Sequence, residues 1–231
     1  MSWTSVGGEL LREAGSQLPD ELRSRFEARA RRVSAPCHQV VLGEGFEGAD
    51  VYLIDSGRMQ VSLFSNQGRE TILREMGPGQ VFGELSAIDG QPRSANVTAV
   101  EDSVLWHMSG REFIDFLRDT PDAGQWMTWL LSMRVRDLTV RILELTTMPV
   151  NTRLHCALIR LGRIVDKGSD TAVIDSFPTH PVLAARLGTH REAISRELSQ
   201  LQKDGILKKV GRQMHILSVD RLQKMIIRVA G

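Results

Sequence analysis

The stretch Phe82-Gly-Glu-Leu-Ser-Ala-Ile-Asp-Gly-Gln-Pro-Arg-Ser-Ala-Asn-Val-Thr98 carries the sharpest chemical pattern in the chain. Its first residues read as a short helix start, with backbone amides from Gly83 to Ser86 free of intrahelical partners. Free amides at a helix N-terminus attract an anion. Arg93 adds a fixed cation able to grip a phosphate through two parallel N–H groups, and Ser94 adds a hydroxyl. Glu84 is an acceptor suited to a sugar hydroxyl. A monoanionic phosphate joined to a ribose satisfies this set.

Around this stretch the texture is β-rich. Short runs at Val40–Leu42, Val51–Ile54, Met59–Phe64, Glu70–Arg74, Val97–Ala99 and Val104–Met108 alternate with glycine, and Asn66-Gln67-Gly68 suits a hairpin tip. Strands at this spacing predict a sandwich, barrel or jelly roll. Upstream, residues 1–36 read as polar helix anchored by Leu10, Leu11, Leu18, Leu22 and Phe26. Downstream, Ser109-Gly-Arg-Glu112 is a capping box that opens a short helix. A long helix then starts at Pro121-Asp122. Along it Leu131, Val135, Leu138, Ile142 and Leu145 are spaced 4, 3, 4, 3, the seam of a two-stranded coiled coil. A homodimer is therefore expected. Thr146–Asn151, with Pro149, ends the helix and reads as a hinge.

The last third reads as a helix near Thr152–Val165, a polar loop at Asp166–Asp170, two short helices at 181–187 and 190–203, a hairpin over Gly205–Leu217 with Gly211-Arg212 at its tip, and a final helix from Asp220. In Pro181–Leu198, Leu183, Ala184 and Leu187 form an inner face, and Gly188 supplies a tight turn. Ala193, Ile194 and Leu198 pack the second helix onto the first. Arg191, Glu192, Ser195 and Arg196 are left facing outward, where a helix-turn-helix enters a major groove. Arginine can bridge guanine O6 and N7, and glutamate can accept from cytosine N4. Lys208-Lys209-Val-Gly-Arg212 supplies a basic wing. The wing, with Arg212, and Thr179, Thr189 and His190 fit phosphate contacts, which give affinity rather than sequence choice.

Charge agrees with this division. From Asn151 onward 14 Lys/Arg face 7 Asp/Glu, a net +7, while the remainder carries 15 against 21, a net −6. The basic third points to a polyanion partner, double-stranded DNA. Cys37 and Cys156 are far apart and outside any CxxC pair, so they read as buried small apolar residues, and no zinc or iron–sulfur site is expected. A haem would need an axial ligand such as His38 or His107, each read as a structural histidine. No apolar run spans a bilayer and no export signal is visible, so the expected location is the cytoplasm. No GxSxG, Walker loop, HExxH or clustered acid pair is present, and catalysis is not expected.

The segment FGE-L-S followed by PRSA resembles the phosphate-binding cassette of cyclic-nucleotide-binding domains. Together with the helix-turn-helix, the chain from about residue 20 resembles the Crp/Fnr family of bacterial regulators. The resemblance implies an α+β architecture: a β jelly-roll with a helical N-terminal extension over residues 1–120, a dimerisation helix over 121–148 and a winged helix-turn-helix domain over 149–231. It implies Gly83, Glu84, Leu85, Ser86, Arg93 and Ser94 as ligand contacts, with Glu84 on the ribose 2′-hydroxyl and Arg93 and Ser94 on the cyclic phosphate. Arg134, Leu138 and Thr139 fall where the long helix contributes in cyclic-AMP receptor proteins. Those proteins usually present two adjacent hydroxyl residues there; this chain has Leu138-Thr139, which leaves cyclic AMP, cyclic GMP or neither open as effector. Arg191, Glu192 and Arg196 fall where cyclic-AMP receptor proteins read the G, C and G of a TGTGA-like half-site, and Glu192, Ser195 and Arg196 also match the E-xx-SR of the Fnr branch. A palindrome with G-x-GA half-sites about one DNA turn apart is expected, with RNA polymerase as a further partner. Fnr-type iron–sulfur sensing is disfavoured because the N-terminal cysteine cluster is missing. A signalling module without DNA binding is the competing class: Arg31-Arg-Val-Ser34 resembles a kinase pseudosubstrate.

Overall fold

The computed structural model describes residues 16–68, 70–165 and 168–230. Leu10 and Leu11, and part of the polar loop at Asp166–Asp170, lie outside them. The chain forms two compact units that divide at Arg134/Val135, within the long helix.

The first unit begins with α1 (Asp20–Glu27) and continues through β1 (Arg31–Ala35), β2 (Val40–Leu42), β3 (Val51–Ser56), β4 (Met59–Phe64), β5 (Glu70–Met76), β6 (Val81–Phe82), α2 (Glu84–Asp89), β7 (Asn96–Ala99), β8 (Ser103–Met108) and α3 (Gly110–Asp119), to the start of α4 (Pro121–Thr147). The strands make two antiparallel four-stranded sheets, ordered β1-β8-β3-β6 and β2-β7-β4-β5. Alternation puts every second side chain inward. Ala35, Ile54, Phe82 and Leu105 from one sheet meet Leu42, Met59, Val61, Val97 and Ala99 from the other. The opposite face of the first sheet, with Val51, Leu53, Val81 and Met108, is covered by Leu22, Phe26, Phe113, Phe116 and Met127. Phe26 meets Phe116 edge-on, ring centroids 5.8 Å apart. This is the expected β-roll.

Several elements form as the sequence indicates. The Ser109 capping box is complete, with the Ser109 hydroxyl accepting from the Glu112 amide and the Glu112 carboxylate accepting from the Ser109 amide. Leu18, Leu22 and Phe26 are buried anchors. The reading of residues 31–36 as helix is corrected: Arg31–Ala35 is an edge strand paired with β8. Arg31, Arg32 and Ser34 there are polar and exposed, so the run lacks the apolar signature of a strand. The same pairing argues against a kinase-docking role, since the Arg31–Ser34 backbone is committed to a sheet.

The second unit holds the rest of α4, then α5 (Val150–Leu161), β9 (Arg163–Ile164), β10 (Ala172–Ile174), α6 (His180–Arg186), α7 (Arg191–Lys203), β11 (Leu207–Val210), β12 (Gln213–Ile216) and α8 (Val219–Ala230). Its sheet runs β11-β12-β10-β9. Leu154, Leu158, Leu183, Leu187, Ile194, Leu198 and Leu222 form the core. The expected helix to Val165 is corrected: it stops at Leu161, and Arg163–Ile164 pairs with Ala172–Val173. Gly162 is extended there, and a Cβ on it would lie 3.1 Å from the Ala172 Cβ. The polar reading missed β10, whose three residues Ala-Val-Ile are all buried.

Around Pro149 two arginines bind neighbouring segments together. Buried Arg153 donates to the carbonyls of Met148 at 3.0 Å and Leu187 at 2.9 Å. Arg160 forms a two-pronged ion pair with the buried Glu144 carboxylate. Attraction to Glu144 offsets the burial of the Arg160 guanidinium and holds it above its ordinary pKa. Of the two cysteines, Cys37 is exposed, correcting the expected burial, and its thiol donates to the Val100 carbonyl. Cys156 is half-buried, and desolvation pushes its thiol up to about 11.

Candidate functional site

Gly83 lies between β6 and α2 in a left-handed conformation, φ 84°. A Cβ there would stand 2.5 Å from the Asp50 carbonyl oxygen, so glycine is required twice over. Arg93 is locked by its backbone to the loop after β2: its amide donates to the Phe46 carbonyl at 3.0 Å, and its carbonyl accepts from the Gly45 amide at 2.8 Å. Its side chain is only 6% exposed. The guanidinium donates to the carbonyls of Gly83 at 3.0 Å and Asp50 at 2.9 Å. Among the described residues it has no carboxylate ion-pair partner. Burial lowers its pKa, opposed by attraction to Asp50, Tyr52 and Glu84, and an arginine stays charged regardless. It borders a cavity of about 350 Å³ also lined by Leu42, Phe46, Gly48, Asp50 and Tyr52.

Glu84 is 2% exposed. One carboxylate oxygen pairs with the Arg134 guanidinium, which also donates to the Val81 carbonyl at 3.0 Å. The other oxygen, Oε2, is buried without a hydrogen-bond partner among the described residues. An unpaired buried acceptor is costly and calls for a donor. Leu85 and Ser94 are exposed, and Ser86 is buried. So Gly83, Glu84, Arg93 and Arg134 come together as one polar set. Leu138 and Thr139 belong to the second unit; Leu138 is exposed, and the Thr139 hydroxyl donates to the Val135 carbonyl at 2.9 Å.

Sequence reading missed the support behind Arg93. His107 Nδ1 accepts from Arg31 Nε at 3.1 Å, and its Nε2 lies 3.3 Å from Asp50 Oδ1. Asp50 is thereby held by its side chain while its carbonyl holds Arg93. Cross-strand register brings these residues together, and no local motif announces it. His38 is exposed with φ 69°.

In the second unit, α6 and α7 form the helix-turn-helix. Gly188 makes the turn at φ 61°, with Leu183, Ala184, Leu187, Ile194 and Leu198 buried behind it. Arg191, Glu192 and Arg196 are exposed on the first turns of α7, beside exposed His190. Ser195 departs from the fully outward reading: it is half-buried, and its hydroxyl is 2.8 Å from His180 Nδ1. Thr179 is exposed and Thr189 half-buried; Arg212 is exposed at the β11–β12 tip. His155, buried beneath α7, sits 2.6 Å from Glu197 Oε1 and so fixes the inner side of that helix. No helix of the described residues is long and apolar enough to cross a membrane.

Comparison with known proteins agrees with both units. Residues 32–120 match the family model of the cyclic nucleotide-binding domain, and residues 152–225 that of the Crp-like helix-turn-helix domain. The cyclic AMP receptor protein of Thermus thermophilus is 29% identical over 191 residues, spanning 82% of this chain and 85% of that protein. A CooA structure from Carboxydothermus hydrogenoformans superposes with TM-score 0.78 at 21% identity, over 91% of this chain and 95% of that one. CLP of Xanthomonas campestris, described as a c-di-GMP responsive global regulator, gives TM-score 0.72 at 22% identity, over 85% and 98%. A cyclic-nucleotide-type β unit followed by a Crp-like DNA-binding unit makes the chain a member of the Crp/Fnr family of transcriptional regulators.

Proposed function

We propose that the chain is a homodimeric, sequence-specific DNA-binding regulator controlled by a cyclic nucleotide held in its β unit. The observation that carries the effector reading is the presence, side by side in one polar set, of a buried arginine without a carboxylate partner and a buried carboxylate oxygen without a donor among the described residues. A cyclic nucleotide supplies what each lacks: a phosphate anion for Arg93 and a ribose hydroxyl for Glu84. The amides of Leu85 and Ser86 and the Ser94 hydroxyl complete the phosphate's surroundings, with Gly83 allowing close approach. The Thermus relative's description as a cyclic AMP receptor supports this reading.

Glu84 also suggests how binding is transmitted. Its carboxylate already holds Arg134, the last residue of the first unit on α4. A ligand hydroxyl on the other carboxylate oxygen adds a second contact to the group that fixes this helix. A ligand shifts a conformational equilibrium only through such differential contacts. Leu138 and Thr139 follow one turn later. On the DNA side, Arg191, Glu192 and Arg196 read base edges, Ser195 orients His180, and Thr179, Thr189, His190 and Arg212 contact phosphates. RNA polymerase is the expected protein partner.

Titration calorimetry with cyclic AMP and cyclic GMP, followed by selection from random duplex DNA, tests the proposal. Micromolar binding of at least one nucleotide and enrichment of a GA-centred palindrome are expected. Binding of neither nucleotide overturns the effector assignment, and recovery of no palindrome overturns the DNA assignment. Within the recovered site, Arg196→Ala should weaken binding roughly ten- to hundredfold and relax the choice at a single base pair. A uniform loss at every position, read by competition against single-base variants, would reassign Arg196 to phosphate.

A further inference from the structure

We propose that His107 is a positioning residue for the effector: it holds the Asp50 carboxylate aside and so keeps the Arg93 guanidinium open to the phosphate. This rests on the cyclic-nucleotide reading above and deepens it. Asp50 meets Arg93 in two ways. Its carbonyl accepts from the guanidinium at 2.9 Å and fixes the fork. Its carboxylate attracts the same guanidinium more strongly than Tyr52 or Glu84 does. Rotation about the Asp50 Cα–Cβ bond moves the carboxylate without moving the carbonyl. An arginine takes a carboxylate or a phosphate through the same parallel N–H groups, so a carboxylate turned onto Arg93 would compete with the ligand. The Asp50 side chain is 47% exposed, and packing alone does not prevent that turn. Glu84, the other carboxylate acting on Arg93, is already engaged by Arg134.

His107 supplies the restraint. Arg31 pairs with His107, His107 with Tyr52, and Tyr52 with Phe82, in one row across β1, β8, β3 and β6. Side chains directly opposite one another share a face. Phe82, at the end of the row, is buried between the sheets and precedes Gly83. Tyr52 stacks on Phe82 with ring centroids 5.1 Å apart and meets the His107 ring edge-on at 5.2 Å. These ring contacts orient an imidazole that is only 13% exposed. Arg31 Nε then donates to His107 Nδ1 at 3.1 Å. A guanidinium cannot accept, so Nδ1 is the acceptor and the ring proton resides on Nε2, 3.3 Å from Asp50 Oδ1. The tautomer that Arg31 selects is the one that can hold Asp50.

A chain of contacts therefore runs from the edge strand to the phosphate site. Arg31 sets the proton on His107, His107 takes the Asp50 carboxylate, and Arg93 is left without a carboxylate ion-pair partner among the described residues. The effect acts at the phosphate end of the ligand, so it is the same for either purine.

Titration calorimetry on the full chain with cyclic AMP and cyclic GMP tests this. His107→Phe keeps a ring against Tyr52 and removes both nitrogens. It should weaken whichever nucleotide wild type binds by about three- to tenfold, and both equally if both bind. His107→Gln, whose amide offers one acceptor and one donor, should recover most of that loss. Asp50→Asn keeps the carbonyl that fixes Arg93 and removes the competing charge. Added to His107→Phe it should restore binding, a rescue that a merely structural role for His107 would not produce. On its own it should tighten binding by up to about threefold, since it takes a negative charge away from the phosphate. Unchanged affinity in His107→Phe, a double variant as weak as His107→Phe, or weaker binding by Asp50→Asn alone would each overturn the assignment. The last comparison leaves His107 in place, so it decides the matter even if His107→Phe fails to fold. If wild type binds neither nucleotide, the effector reading falls and this inference with it; if wild type binds and the rescue fails, only this inference falls.

Discussion

Arg93→Ala loses cyclic-nucleotide affinity by roughly 30- to several-thousand-fold, the 2–5 kcal/mol that follows truncation of one partner of a buried charge pair. The expectation is large because, among the described residues, the site offers a phosphate no second side-chain cation of equal commitment. Arg134 is already paired with Glu84. Arg93 is held by two backbone carbonyls and by main-chain bonds on both sides, so its fork is in place before the ligand arrives. A preorganised donor spends little binding energy on ordering itself. The same bonds complicate the variant, since removing the side chain leaves the Gly83 and Asp50 carbonyls without their donors, at about 1–3 kcal/mol of stability for each buried group left unsatisfied. Arg93→Lys separates the two effects. It keeps the charge near the carbonyls but cannot present two parallel donors to a phosphate. A folded Arg93→Lys protein, checked by thermal melting, that binds both nucleotides as tightly as wild type would remove Arg93 from the phosphate site.

The two motifs that point to function were legible because their chemistry is local. Gly83, Glu84 and Arg93 lie within eleven residues, and Arg191 through Arg196 within two helical turns. Hydrophobic periodicity also revealed α4, α7 and most of the strands. What stayed hidden depends on register or on long-range partners. β1 carries Arg31, Arg32 and Ser34, and only its pairing with β8 makes it a strand. The one-residue slip in the β4–β5 pairing between Val61 and Ser62 is likewise recorded by no composition. No local pattern marks Arg153 and Arg160, yet both are turned inward, to the Met148 and Leu187 carbonyls and to Glu144. Leu131 illustrates the reverse. The heptad counts it as a seam residue, whereas it packs partly against the core of the first unit. The apolar stripe left exposed runs from Val135.

Ile142→Glu is expected to convert the chain from dimer to monomer and to weaken binding to a palindromic site by about a hundred- to ten-thousandfold. Val135, Leu138, Ile142 and Leu145 are 62%, 51%, 62% and 52% exposed along one face of α4. A helix carries such a stripe at 3.5-residue spacing when another helix covers it, and a two-fold pair would bring the two copies of Ile142 together. Glutamate at that position places two carboxylates in an apolar seam, where burial and like charge both oppose association. The loss in DNA binding follows from geometry. Each monomer keeps its own α7 and Arg191, Glu192 and Arg196, but the second half-site is then engaged as a separate event, without the effective concentration that linkage supplies. Ile142 is a better target than Leu145, because a Cβ at Gly188 would lie 3.6 Å from Leu145 Cδ2, so changing Leu145 also disturbs the helix-turn-helix turn. It is also better than Leu138, which the family resemblance puts beside the nucleotide. Sedimentation equilibrium reads the mass directly, and calorimetry at Arg93, in the other unit, should report unchanged nucleotide affinity. A variant that remains dimeric at micromolar concentration would move the interface off this stripe. A wild-type chain that is monomeric while still selecting palindromes would require association to occur only on DNA, and would sever the seam from affinity for the free regulator.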